Sequence, residues 1–174
     1  ILESLPAIER WFRLEWMEHT PPFYTSVDVR NAGFKLAPVD TNLFPGGFNN
    51  LNAAFLPLCV QAIQTAVERI CPDARGVLLV PENHTRNMFY LANVAALEGI
   101  LRQAGMNVRI GSLNPEIAAT TTIELPTGDA LTLEEEFGVG TVDSALVVVE
   151  GDFGGSPELR EAVRGLVTTL GANP

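Results

Sequence analysis

The chain has few of the residues that build disulfides, metal centres and nucleic-acid surfaces. Its 174 residues include two cysteines, two histidines and a single lysine, Lys35. The formal net charge is -10 and the arginines do not cluster, which argues against nucleic-acid binding because phosphate contacts depend on grouped cations. No apolar run reaches about 18 residues and no signal-peptide pattern occurs, so we expect no membrane span and a cytoplasmic protein.

The scarce cysteines and histidines predict neither a disulfide nor a metal site. Cys59 and Cys71 fall in one predicted helix, which would separate their Cα atoms by about 18 Å. A disulfide cannot span that distance. The two histidines, His19 and His84, show no ligand spacing with the thiols. We expect His19 to lie at the end of the first helix, where a donor side chain favours the helix C-terminus.

Apolar patterning predicts one α/β domain over residues 1–174. Helical spacing begins at Ile1 and should end before Pro21, and further helices are predicted over 56–70 and from about 88 to Gly105. Residues 77–80 and 145–149 are short runs without a polar face, which is typical of strands buried in a parallel sheet. The fold class is therefore a largely parallel sheet flanked by helices.

Two antiparallel pieces are predicted beside this sheet. A β-hairpin at 24–40 turns near Asn31-Ala32-Gly33, and a β-ribbon at 120–133 turns at 126–129. We expect the acidic run 134–136 that follows to be a solvated surface segment.

The segment from Asp28 to Asn52 mixes charges, amides and glycines in a way that neither a helix nor a strand requires. We interpret it as part of a binding site. The candidate substrate-binding residues are its cations, one carboxylate and its amides: Arg30, Asn31, Lys35, Asp40, Asn42, Asn49 and Asn50. Two alternatives stay open, because asparagine-rich loops are often turns held by side-chain hydrogen bonds and Lys35 alone could be a surface lysine.

A second polar group follows the buried strand at 77–80. Its candidate substrate-binding residues are Glu82, Asn83, His84, Arg86 and Asn87. Ligands of open α/β sheets bind outside the carboxyl ends of the strands. Arg86 would bind a carboxylate and Glu82 an ammonium group, while His84 fits equally well as an ordinary loop residue. We expect the loops at 40–50, 82–87 and 150–156 to converge on one sheet edge.

Both polar groups carry a family resemblance. Residues 21–51, with VDVRNAGFKLAPVDTNLFPGGFNN at their centre, resemble the N-terminal signature of proteobacterial glutamate-cysteine ligases, also called gamma-glutamylcysteine synthetases. The blocks PENHTRNMFYL (81–91) and GMNVRIGS (105–112) resemble the same family in order and spacing. The resemblance implies a pre-ATP-grasp-like fold and an N-terminal portion of a longer ligase, whose C-terminal ATP-binding domain would be missing from this chain.

The resemblance also implies a reaction. The complete enzyme would join the γ-carboxylate of L-glutamate to the amine of L-cysteine in glutathione biosynthesis. ATP would convert the carboxylate into an acyl phosphate, and Mg²⁺ would offset the phosphoryl charge. The chain has no phosphate-binding glycine loop and only one lysine, whereas ATP-grasp enzymes usually use two. We therefore expect this piece alone to bind no ATP or Mg²⁺ and to be inactive, with catalytic residues unknown.

Two other functions fit the sequence. The first is a non-catalytic amino-acid-binding or regulatory α/β domain. The second is an interaction module in which Phe44, Phe48 and Phe55 dock a partner domain.

Overall fold

A computed structural model describes residues 2–19, 23–42, 46–82, 87–112, 117, 119–134 and 145–149 of the chain. The chain divides into two compact units, which we call unit 1 (Ile1–Leu43) and unit 2 (Phe44–Pro174). The expectation of a single domain stays a prediction, and each unit is described by itself.

Unit 1 begins with the predicted amphipathic helix. A 3-10 turn (Leu2–Ser4) leads into α1 (Leu5–Glu18), and Pro6 occupies its first turn, where a missing N–H costs nothing. The helix ends at His19, as predicted, because the His19 backbone turns extended and its N–H donates to the Glu15 carbonyl at 2.8 Å. No described residue of α1 is buried.

The predicted hairpin forms the rest of unit 1. Strand β1 (Ser26–Asn31) pairs antiparallel with β2 (Leu36–Asn42), and the pairing shifts register between Asp28 and Val29. Gly33 in the turn has φ +83°, a conformation that other residues adopt only with strain. The hairpin prediction at 24–40 is confirmed, with slightly later strand ends.

Unit 2 contains the predicted parallel sheet. Strand β3 (Gly76–Val80) lies in the middle, between β4 (Asn107–Ile110) and β7 (Ala145–Val149), and pairs with both in parallel. Residues 77–80 are buried, as the uninterrupted apolar run predicts.

Unit 2 also contains two helices, which pack against each other. A 3-10 turn (Ala53–Phe55) precedes α2 (Leu56–Ile70), which has the bounds predicted for this helix. Helix α3 (Met88–Gln103) supplies much of the core and ends before Gly105, whose φ is +92°. Cys59 on α2 and Cys71 just after it are free thiols, as predicted. Among the described helices, none has the length and apolarity needed to cross a bilayer.

The predicted ribbon at 120–133 is also confirmed. Strand β5 (Thr121–Glu124) pairs antiparallel with β6 (Ala130–Leu133). The first acidic residue after it corrects one expectation, because Glu134 is a half-buried partner of Arg109 rather than a solvated charge. Arg109 Nε donates to Glu134 Oε2 at 2.8 Å, and this hydrogen bond raises the pKa of Arg109. Residues 135–136 lie outside the described residues.

Candidate functional site

One face of the unit 1 hairpin gathers charged and amide side chains. Side chains alternate along β1, so Asp28 and Arg30 share a face. Asp40 lies directly opposite Asp28, and Asn42 lies opposite Ser26 on the same face. Three predicted site residues, Arg30, Asp40 and Asn42, therefore come together. We call this set, with Asp28, the polar hairpin face.

The carboxylates of the polar hairpin face are placed at a cost to folding. Asp28 and Asp40 are directly opposed across the strands, an arrangement of like charges that destabilises a sheet. Asp40 Oδ1 accepts from the Thr41 N–H at 3.0 Å, and its Oδ2 accepts from Asn42 Nδ2 at 3.3 Å. All of these residues are exposed, so burying a core cannot explain the arrangement. A ligand with both signs of charge would explain it.

Asp28 was missed in the sequence, although it stands within the segment interpreted as a site. Its alternation with Val27 and Val29 reads as ordinary strand patterning. The cross-strand register makes the difference, because it pairs Asp28 with Asp40. Register depends on the exact turn length, which the sequence alone left open.

The other two candidate residues of the hairpin, Asn31 and Lys35, lie at its turn. Asn31 Oδ1 accepts from the Gly33 N–H at 2.8 Å, which is the side-chain turn that the sequence offered as the alternative to binding. The Lys35 carbonyl accepts from the Ala32 N–H at 3.0 Å, and the Lys35 side chain is exposed beside the turn. The structure thus gives Asn31 a structural role, while the binding role of Lys35 stays a prediction.

In unit 2, two candidates surround the end of β3. Glu82 is half-buried, and its N–H donates to the hydroxyl of Tyr90 at 2.7 Å. The Tyr90 N–H in turn donates to Oδ1 of Asn87, the N-cap of α3, at 3.2 Å. Tyr90, which the sequence did not single out, thereby ties the strand end to the first turn of α3. The candidates Asn83, His84 and Arg86 lie outside the described residues.

A 3-10 turn (Phe48–Asn50) carries two more candidates next to α3. The Phe48 N–H donates to Oδ1 of Asn93 at 2.8 Å, and only 2% of Asn93 is exposed. Asn93 is a second residue that sequence reasoning missed, and its signal was a polar side chain among the apolar positions of α3. This bond fixes the turn, whereas Asn49 and Asn50 expose their side chains.

Asn49 also lines a cavity of about 500 Å³ in unit 2. Small residues of α3 form one wall, and the β5–β6 ribbon forms another. The lining residues of α3 and the ribbon are Ala92, Ala95, Ala96, Glu98, Gly99, Arg102, Leu125, Thr127, Asp129, Ala130 and Thr132.

The charges of this cavity are partly paired. Arg102 Nη2 lies 2.5 Å from Glu98 Oε1. Burial raises the pKa of the Glu98 carboxyl, and the charge and hydrogen bond of Arg102 offset part of that rise. Asp129 accepts from Thr127 Oγ1 at 2.8 Å. The cavity presents a cation and two carboxylates, but much of this charge is already satisfied within the protein.

The described parts of the chain contain no group of three or more His, Cys, Asp or Glu side chains that could hold a metal ion. The one lysine lies at the hairpin turn.

The three phenylalanines that the sequence suggested as docking residues differ in exposure. Phe55 is 58% exposed, and Phe48 is half-buried over its turn. Phe44 lies outside the described residues.

Comparison with known proteins identifies a family. The GshA family model, described as glutamate-cysteine ligase, matches residues 1–168. A crystal structure from Methylobacillus flagellatus KT, named "putative gamma-glutamylcysteine synthetase", is 47% identical with a TM-score of 0.80. The alignment covers 99% of this chain and 49% of that one, so the chain spans about half the length of this relative. No curated protein matches the chain significantly.

Proposed function

Since the chain belongs to the glutamate-cysteine ligase family, we propose that it is the N-terminal, amino-acid-binding part of an ATP-dependent ligase of the proteobacterial type. The reaction is the joining of the L-glutamate γ-carboxylate to the amine of L-cysteine, in the cytoplasm, as a step of glutathione biosynthesis. The family match along almost the whole chain and the 47% identical relative support this assignment.

The polar hairpin face is the observation that carries the binding role. Amino acids bear a carboxylate and an ammonium group, and this face offers Arg30 beside Asp28 and Asp40. A guanidinium binds a carboxylate through two parallel N–H donors, while carboxylates bind ammonium. We assign Arg30 to a substrate carboxylate and the opposed aspartates to a substrate ammonium. Binding would relieve the repulsion between Asp28 and Asp40.

The polar loop after β3 is proposed as a second contact region. Glu82 stands at the carboxyl end of a buried parallel strand, and α3 begins just beyond it. Strand ends and helix N-termini of α/β folds bind ligands and anions. In this proposal Arg86 binds a carboxylate and Glu82 an ammonium group, with Asn83 and His84 beside them. The convergence of the loops at 40–50, 82–87 and 150–156 belongs to the same proposal.

We assign ATP and Mg²⁺ to the part of a full-length ligase that this chain does not span. The fold is proposed to be of the pre-ATP-grasp kind, joined in sequence to an ATP-grasp module. The role of the described residues is then to bind and orient amino acids.

Arg30→Lys and Asp40→Asn in the full-length ligase test the proposal. Lysine keeps the charge but loses the two-donor fork, so a contact worth about 1.5 to 3 kcal/mol weakens. We expect kcat/KM for one amino acid substrate to fall roughly tenfold to a hundredfold. Steady-state assays of phosphate release should vary glutamate and cysteine separately.

Arg10→Lys is the matched control, because Arg10 is an exposed arginine of α1 in the same unit. Thermal melts of each variant separate lost binding from lost stability. Parental kcat/KM in both site variants, with unchanged melting, would show that the polar hairpin face does not touch substrate.

A further inference from the structure

Two polar side chains near the start of α3 bind two separate segments of unit 2. The Tyr90 hydroxyl accepts a hydrogen bond from the Glu82 N–H at 2.7 Å, just after β3. Asn93 Oδ1 accepts one from the Phe48 N–H at 2.8 Å, at the start of the 3-10 turn 48–50. Both donors are backbone groups, so each bond fixes the path of the chain at a segment that the sequence singled out as a candidate site.

The spacing of these two side chains brings the two segments together. Tyr90 and Asn93 are three residues apart in α3, so they are neighbours on the helix surface, with Cβ atoms about 5 to 6 Å apart. The turn 48–50 packs on α3, and all of these residues belong to unit 2. Glu82 and the turn 48–50 are therefore held beside one helix face, although they are far apart in sequence.

Core packing does not require polar atoms at these two positions. Leu91 and Val94 beside them are at most 1% exposed, and an apolar residue at position 93 would extend this core. Asn93 instead buries an amide, with 2% of the residue exposed, which costs free energy unless the amide is hydrogen-bonded. Tyr90 is half-buried, and its N–H also donates to Asn87 Oδ1 at 3.2 Å. The polar atoms of both residues are thus used to place other segments of the chain.

We propose that Tyr90 and Asn93 are positioning residues, which place Glu82 and the turn 48–50 around the ammonium group of one amino acid substrate. The inference rests on the proposed function, which assigns Glu82 to such a group. An ammonium group has three N–H donors, so it needs acceptors besides one carboxylate. The exposed amides of Asn49 and Asn50 offer further acceptor oxygens at the turn. L-glutamate and L-cysteine each carry one ammonium group, so the site takes one of the two substrates.

Tyr90→Phe and Asn93→Ala in the full-length ligase test the proposal. Phosphate release is measured while glutamate and cysteine are varied separately. We expect KM to rise about threefold to tenfold for the same amino acid in both variants, which is the weight of one hydrogen bond. The kcat should stay near the parental value, because the ammonium contact is equally strong in the ground state and the transition state. A merely structural role would lower the amount of folded enzyme without raising the KM of one amino acid alone.

Two further variants accompany these measurements. Thr65→Val is the control, because it removes the hydroxyl of an exposed residue of α2 that donates only within its own helix, to the Gln61 carbonyl at 3.0 Å. Its KM values should be parental. Asn49→Ala removes an exposed acceptor of the turn without disturbing the core, and it replaces Asn93→Ala if that variant does not fold. It should raise the KM of the same amino acid as Tyr90→Phe.

Glu82→Gln separates failure of the positioning role from failure of the proposed function. A raised KM in Glu82→Gln with parental KM values in Tyr90→Phe would overturn the positioning role and leave the substrate role of Glu82 in place. Parental KM values in Glu82→Gln would overturn the substrate role itself, and the positioning role with it. A raised KM for glutamate in one positioning variant and for cysteine in the other would mean that the two segments do not share one site.

Discussion

Helices α1 and α3 have similar lengths, 14 and 16 residues, but they differ in how many of their side chains are buried. Helix α1 buries none of its described side chains. Helix α3 buries six, and Leu91, Val94 and Leu97 are at most 1% exposed. The two also differ in how they begin, because Asn87 caps α3 through its side chain whereas no side chain caps α1.

The contrast separates two kinds of information in an amphipathic pattern. Helical spacing of apolar residues identifies a helix and the face that avoids water, and it does so for both segments. It does not identify what covers that face. In α3 the cover is the sheet and α2 of unit 2, whereas none of the described side chains of α1 is buried. The two helices also differ in composition. Apolar residues occur on nearly all sides of α3, whereas charged residues alternate with apolar residues along α1.

The largest difference in free energy of unfolding is expected between two Leu→Ala substitutions, one in each helix. Leu97→Ala in α3 removes a side chain that is 0% exposed, and large-to-small changes in a core cost about 2 to 5 kcal/mol. Leu14→Ala in α1 truncates a side chain that is 47% exposed, so we expect a loss below about 1 kcal/mol. Urea unfolding of the chain, followed by circular dichroism, measures both. A loss from Leu14→Ala equal to that from Leu97→Ala would show that α1 is covered within this chain.

A smaller difference in free energy of unfolding is expected between substitutions of two asparagines whose side chains accept the same kind of hydrogen bond. Asn93 Oδ1 accepts from the Phe48 N–H, and Asn31 Oδ1 accepts from the Gly33 N–H, each at 2.8 Å. Asn93→Ala leaves a part-buried N–H without this acceptor, which costs about 1 to 3 kcal/mol. Asn31→Ala leaves an exposed N–H that water can reach, so we expect about 0.5 kcal/mol. Hydrogen exchange at Phe48 and Gly33 checks each bond directly, and equal losses would mean that burial does not set the cost.

The sequence predicted local features of the structure but not those that depend on how distant residues are placed together. The helix ends, the strands at 77–80 and 145–149, the hairpin and the ribbon were predictable, because each depends on local patterning, turn residues or prolines. The pairing of Asp28 with Asp40 was not, since it depends on the register of two strands. Nor were Asn93 and Tyr90, whose bonds join residues that are 45 and 8 positions apart and require tertiary placement.

The acidic run 134–136 shows a further limit of prediction from the sequence. Glu134 looks like its two acidic neighbours in the sequence, and only the bridge between Gly111 and Glu134 brings it to Arg109. A charge run predicts solvent exposure as a group, but one member at the end of a strand can have a partner. The resemblance to a ligase family likewise identified motif segments without saying which atoms in them meet a substrate.

The smallest expected effect compares two ion pairs with the same helical spacing. Glu98 and Arg102 in α3, like Glu9 and Arg13 in α1, are four residues apart. At neutral pH, Glu9→Gln should cost at most about 0.5 kcal/mol, because exposed pairs of this kind contribute little. Glu98 differs because burial raises the pKa of its carboxyl above the ordinary value of 4.5.

The pH dependence of Glu98→Gln tests this difference. A carboxyl with a raised folded pKa binds more protons in the folded state, so its contribution to stability is fully present below about pH 4.5 and is lost as the pH rises through the folded pKa. The parent should therefore gain stability relative to Glu98→Gln on acidification from pH 7 to pH 4, by less than about 1 kcal/mol. Urea midpoints of the parent and the variant across that range measure the change. A parent that instead loses stability relative to Glu98→Gln would mean that the charge of Arg102, rather than burial, dominates the environment of this carboxyl.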